Sequence, residues 1–191
     1  MELQRLIFAA AIVAGWCAFI YFWPRLLLTV FTRAILGQGF GNGPIPVNTL
    51  QAEPQALFAD PLRAPDSVPS VLTTGVNRDT LLVAGCLDLR KGPQILRVPD
   101  MAGRYYSVQF TDASKNINFA YVGKRTTGTG AGTYLISGPG WKGTVPAGVS
   151  QISSPTNSVL VAGRVFVEDD RDIPTAYGLA NQIHLSPLAK P

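Results

Sequence analysis

Charge is scarce in this chain. Asp, Glu, Lys and Arg make up 15% of its 191 residues, against about 25% in an ordinary soluble domain. There is one histidine, His184, and there are two cysteines, Cys17 and Cys86. Each shortage excludes something. One His and two separated Cys exclude most zinc sites, which draw on several such ligands. Cys17 lies in an apolar run and Cys86 in the body of the chain, so no internal disulfide is expected. The net charge of +4 splits evenly: Arg5, Arg25 and Arg33 against Glu2 leave +2 in residues 1–33, and the remainder carries the other +2. No Lys/Arg cluster stands ready to neutralise phosphates, so no nucleic-acid partner is expected. There is no G-x-S-x-G elbow to present a serine nucleophile.

Apolar sequence, by contrast, is concentrated in one block. Leu6 to Trp23 holds no charge, no proline and no side-chain amide, and its one glycine is Gly15. At about 1.5 Å per residue this run spans most of a ~30 Å hydrocarbon core. A cleaved signal has a shorter apolar core and exits through small residues. Here the exit is Trp23-Pro24-Arg25, which favours an uncleaved anchor. Tyr21 and Trp23 suit an interfacial aromatic belt. Gly15, Trp16 and Trp23 are candidates for packing against another transmembrane helix. Charge leaves orientation open, with Arg5 on one side and Arg25 and Arg33 on the other. Beyond Pro24, Leu26 to Leu36 either lengthens a kinked anchor or lies along the interface as a short amphipathic helix. Residues 1–36 are thus read as anchor and membrane-proximal segment.

Gly37 to Pro46 (GQGFGNGPIP) is a Gly/Pro-rich breaker, so helix must end there. Residues 37–69 carry few strand signals and read as a linker with short helical turns. Residues 70–191 read as one β domain. LLVAGCLDL (81–89) and QILRV (94–98) are short apolar runs around a Gly92-Pro93 turn. RYYSVQFTD (104–112) alternates, with Tyr106, Val108 and Phe110 on one face. INFAYVG (117–123) repeats the rhythm with Ile117, Phe119 and Tyr121, and TYLIS (133–137) follows a Gly-rich loop. SVLVAGRVFV (158–167) is apolar on both faces, as a central strand is. Such segments, punctuated by Gly and Pro, predict a mainly β fold: an antiparallel β-sandwich or jelly roll. Ile173 to His184 predicts a short C-terminal helix. Asp172 is its candidate cap, Pro174 suits the first turn, and Ala176, Leu179, Ala180 and Ile183 share a face.

Several motifs invite a chemical reading. Gly128, Gly130 and Gly132 resemble a phosphate-cradling loop, but a strand follows rather than a helix, so a hairpin loop is expected. Glu168-Asp169-Asp170-Arg171-Asp172 has carboxylates for a hard cation but lacks the calcium-loop spacing, so a solvated turn and helix cap is expected. His184 has no motif-level partner for general-base work. Asn77-Arg78-Asp79 either locks a turn or presents a guanidinium fork to an anion. Arg104 and Tyr105 are candidates to line a surface site, with Tyr106 in the core. Trp141, in a Gly-Pro-Gly-Trp-Lys-Gly loop, is either a packing plug or a binding anchor.

Ordered short blocks across residues 77–187 resemble the bacterial domain-of-unknown-function family numbered 1254. They are Asn77-Arg78-Asp79-Thr80-Leu81, Leu87-Asp88-Leu89, Lys91-Gly92-Pro93, Val98-Pro99-Asp100 and the run Gly103 to Gln109. The run Asn118 to Gly123, Arg125 to Gly128, Gly138 to Gly143 and Ser154 to Asn157 complete the set. The resemblance implies a jelly-roll-type β domain, exported or membrane-anchored, commonly beside a second domain of the family numbered 1214. It implies a short form that relies on a separate partner chain, with the N-terminus in the cytoplasm and the β domain outside it. Family members usually carry Tyr after Asp-Thr-Leu, where this chain has Leu82.

The function expected is that of a single-pass protein of the bacterial inner membrane with a periplasmic β domain. It acts as an accessory or interaction subunit of an integral membrane complex or of a partner β-domain chain, without cofactor or metal. The alternative is an envelope enzyme or a binder of a carbohydrate- or lipid-like molecule at the sandwich mouth, with Arg78, Asp79 and a Tyr converging. Asn77, Arg78, Asp79, Arg104, Tyr105 and Trp141 are the candidate surface residues.

Overall fold

The computed structural model describes residues 2–38, 43–53 and 79–189. Helix α1 (Glu2–Gln38) runs 37 residues and contains Pro24 without breaking. Around the proline, side chains take up carbonyl oxygens. Arg25 Nη1 donates to Tyr21 O at 2.6 Å and Thr29 Oγ1 to Arg25 O at 2.8 Å. The Arg25 guanidinium also stacks 3.8 Å over the Tyr21 ring. Glu2–Ala34 is long and apolar enough to cross a membrane. Every side chain from Glu2 to Pro24 is exposed. Beyond that, Leu28 and Leu36 pack on Ile45, Cys86 and Leu160. The segment after Pro24 is therefore helix seated on the β structure.

That structure is two sheets. The strands are β1 (Gln51–Glu53), β2 (Thr80–Asp88), β3 (Gln94–Val98), β4 (Tyr106–Asp112), β5 (Ile117–Gly123), β6 (Gly132–Ser137), β7 (Ser150–Ser153), β8 (Ser158–Phe166) and β9 (His184–Pro187). Helix α2 (Ile173–Gln182) lies between β8 and β9. The first sheet has the order β1-β2-β8-β4-β5 and the second β7-β6-β3-β9. All pairings in the first are antiparallel. The second is mixed, because β6 and β7 run parallel. Residues 138–149 carry the chain back to bring Ser150 level with Tyr134, the kind of long crossover that parallel pairing needs.

One core draws on both sheets. Leu81, Val83, Val108, Phe110, Val161 and Val165 come from the first; Leu96, Val98 and Ile136 come from the second. Ala176, Ala180 and Ile183 of α2 join it. β8 is the middle strand, and its two apolar faces have two destinations: Val159, Val161 and Val165 reach the core, and Leu160 meets α1.

Four sequence readings are corrected. The segment read as linker supplies β1, and Ala52 is buried in the core. The approach to β1 is strapped over β2: Asp88 N donates to Asn48 Oδ1 at 2.8 Å, and Thr49 O lies where a Cβ on Gly85 would sit. The rhythm of β5 breaks at a β-bulge. Phe110 pairs with Ala120 and Thr111 with Asn118, which skips Phe119 and turns Tyr121 outward opposite Gln109, while Ile117 is exposed at the strand's start. The Gly128–Gly132 stretch is no hairpin, since β5 and β6 lie in different sheets. Finally, α2 stops at Gln182, and His184 begins β9, opposite Arg97.

Candidate functional site

Where β4 begins and β5 and β8 finish, the first sheet ends in an open cleft of about 730 Å³. It lies away from α1. Its Phe166 wall is six residues along β8 from Leu160, or about 20 Å at 3.3 Å per residue.

Its floor is built by a tight turn. Ala102 (φ 49°) and Gly103 (φ 79°) both sit in the left-handed region. Asp100 Oδ1 accepts from Ala102 N at 2.8 Å, and Arg104 N donates to Met101 O at 2.8 Å. This reversal aims Arg104 at α2. Arg104 Nη1 donates to Phe166 O at 2.8 Å and to Asp172 Oδ2, while Nη2 reaches Asp172 Oδ1 at 2.7 Å. Asp172 also accepts from Glu168 N at 3.0 Å. The Arg104 guanidinium holds the Asp172 carboxyl below the usual carboxylate range, and Asp172 in turn pushes Arg104 up. Asp172 stands at the N-cap of α2 but gives that helix no side-chain cap bond. Its oxygens are spent on the clasp, which corrects the capping expectation. The clasp fastens α2 over the cleft, where Thr175 and Leu179 form one wall.

The opposite wall is the turn after β5. Thr126 N and Thr127 N both donate to Gly123 O, at 3.0 and 2.8 Å, and Gly123 N donates to Thr127 Oγ1 at 3.1 Å. A Cβ on Gly123 would stand 2.5 Å from Tyr106 O, so only glycine lets β4 and β5 close here. The turn presents two cations. Lys124 Nζ donates to Gly103 O at 2.7 Å across the cleft. Arg125 lies 5.8 Å over the Tyr105 ring and has no hydrogen bond or ion pair among the described residues. Among the described residues, Glu168 is the one carboxylate on the lining. A second hollow of about 230 Å³ shares Tyr105 and Arg125 and adds Ser107, Tyr121 and Thr126.

The structure brings Arg104 and Tyr105 together, as lock and lining respectively. Asn77 and Arg78 lie outside the described residues. Asp79 is exposed and absent from the cleft lining, and its backbone oxygen accepts from Val167 N at 2.8 Å. Trp141 is half-buried and folded against Gly143, in a loop whose first residue, Gly138, abuts Leu89 and Asn157. It belongs to neither hollow. Leu82 is absent from both linings as well. Gly15 and Trp16 share a shallow groove on bare α1 with Ile12 and Phe19, and Phe19 stacks on Trp23 at 5.2 Å. In the acidic run, Asp169 Oδ1 accepts from Arg171 N and Asp172 N, so it serves a turn. His184 is exposed, with Nδ1 2.8 Å from Gln182 O. No cluster of three metal-ligating side chains exists among the described residues. Sequence reasoning missed Lys124, took Glu168 only as part of an acidic turn and Arg125 only as part of a family block, and assigned none of the three to this cleft. The legible signal was two adjacent cations between a strand end and a Thr-Thr-Gly turn.

The chain is thus a two-sheet β unit carrying a long apolar N-terminal helix. Residues 59–187 match the family described as "Protein of unknown function (DUF1254)", and the chain belongs to that family. The crystal structure of the VPA0106 protein from Vibrio parahaemolyticus is similar, with a TM-score of 0.64 and 26% identity. The alignment covers 90% of this chain and 37% of that one, so this chain spans little more than a third of its relative. An uncharacterised protein from Burkholderia cenocepacia aligns over 73% of this chain and 34% of its own, at 15% identity and a TM-score of 0.38. No curated protein matches.

Proposed function

We propose that this protein is a single-pass accessory subunit of a bacterial inner-membrane assembly. In this reading its β unit is a jelly-roll-type sandwich on the periplasmic side, docked to an integral membrane complex or to a partner β-domain chain. One observation carries the reading. α1 passes without a break from a bare apolar half, Glu2 to Pro24, to a half seated on the sheet through Leu28 and Leu36. A tether alone needs no such seat. A helix held by the β unit fixes that unit against the bilayer, as suits a subunit that must meet a partner in one pose. The bare half offers Gly15, beside Trp16, where a neighbouring helix can approach closely.

The test is extraction from the native membrane in mild detergent, followed by sizing and mass spectrometry. The expected result is a stoichiometric complex containing an integral membrane protein or a β-domain partner. A lone monomer overturns the proposal.

A further inference from the structure

The two hollows at the Arg104 end lie away from the α1 seat, and their lining has a consistent chemistry. We infer that they form one binding site for a sugar-like ring that carries an anionic group.

The anion preference rests on charge that the fold leaves unspent. Arg104 is neutralised by Asp172, but among the described residues Arg125 has no such partner, and Lys124 meets only the carbonyl of Gly103. Against these two cations the lining sets one carboxylate, Glu168. A free guanidinium on a rigid turn suits a carboxylate or phosphate, which it grips through two parallel N–H donors. The turn is rigid because its Thr126 and Thr127 bonds converge on Gly123.

The ring preference rests on the second hollow. Tyr105 and Tyr121 supply aromatic faces there, Ser107 supplies a hydroxyl, and Thr126 Oγ1, which donates to Tyr121 O and Gly123 O, keeps its acceptor side. Ring faces beside hydroxyl groups match a pyranose, whose C–H face is apolar and whose rim is polar. Tyr105 and Arg125 are common to both hollows, so a ligand that lies across them spans the pair. The carboxylate or phosphate then meets Arg125 and Lys124 while the ring rests beside the tyrosines.

The test uses the full chain in a detergent without sugar headgroups. Trigalacturonate, its neutral methyl ester, glucose 6-phosphate and inorganic phosphate are titrated by calorimetry. Trigalacturonate or glucose 6-phosphate should bind, more weakly as salt rises, and whichever binds tighter identifies the anionic group. Arg125→Gln should weaken that binding about tenfold, as loss of a charge-assisted pair does. Arg125 is exposed, so the variant should keep the wild-type unfolding temperature. Tyr105→Leu should weaken the sugar acid and the neutral ester alike. The inference is overturned if no probe binds, if the neutral ester binds as well as the acid, or if inorganic phosphate matches the sugar ligands. Equal affinity in the folded Arg125→Gln variant overturns it as well.

Discussion

Replacing Asp172 by Ala tests whether the clasp holds α2 in place. The substitution removes both hydrogen bonds to Arg104 and the acceptor for Glu168 N. Each partner's side chain is 17% exposed, so the pair is neither a surface bridge nor a sealed one. Exposed pairs contribute about 0–1 kcal/mol. Breaking a fully buried pair costs about 3–5 kcal/mol. The intermediate burial places Asp172→Ala near ~2 kcal/mol, which lowers Tm by roughly 4–8 °C for a chain of this size. Arg104→Ala should cost more, because it also loses the bond to Phe166 O. Thermal unfolding of both single variants and the double variant, in detergent and followed by near-ultraviolet circular dichroism, completes a cycle. Coupling of about 1–2 kcal/mol is expected. Coupling under ~0.3 kcal/mol would mean that water already screens the pair and that apolar packing alone seats α2.

Acid should loosen both ends of β4. Asp172 titrates below the usual range because of Arg104. Burial works to raise Asp112, but hydrogen bonds from Ser114 and Thr156 outweigh it and hold it low. Carboxyls that are more acidic folded than unfolded stabilise the protein above their unfolded pKa, and that stability goes as pH falls through the carboxylate range. Tm should therefore drop below about pH 4, and more shallowly in an Asp112→Asn/Asp172→Asn variant. Gly123→Ala should cost roughly 1–3 kcal/mol by driving a methyl onto Tyr106 O, measured as a fall in Tm. Cys86 is buried beneath α1, and burial pushes its thiol up to about 11. In a Cys17→Ser background it should alkylate slowly, and Leu36→Ala should speed the reaction several-fold. Rapid labelling before that change would show that α1 is not seated.

What the sequence disclosed was whatever repeats along the chain. Period-2 alternation located β4, and apolar runs located β2, β3, β6 and β8. The face shared by Ala176, Ala180 and Ile183 located α2. Elements of three or four residues escaped, because β1, β7 and β9 are too short to show a period. The β5 bulge escaped because one skipped residue inverts every later face. Strand direction escaped too, since a crossover loop reads like any other Gly/Pro stretch. At the cleft, Arg104 and Tyr105 were legible as a cation beside an aromatic at a strand start. Lys124 and Arg125 showed only as adjacent cations after a strand, and their meeting with Glu168 was not legible, because it joins the turn after β5 to the turn after β8.

An unbroken α1 also works as a gear. A helix advances about 1.5 Å and turns about 100° for each residue. With its C-terminal half locked to the sheet at Leu28 and Leu36, every residue between Gly15 and that lock adds to one fixed angle. That angle relates the Gly15 side of the helix to the compass direction in which the cleft opens. A single alanine inserted ahead of Pro24 would swing the cleft about a quarter turn relative to the bare half of the helix while lifting it hardly at all. Seven inserted residues, close to two full turns, would nearly restore the bearing and raise the β unit by about 10 Å. Residue count in this helix thus sets heading and height separately.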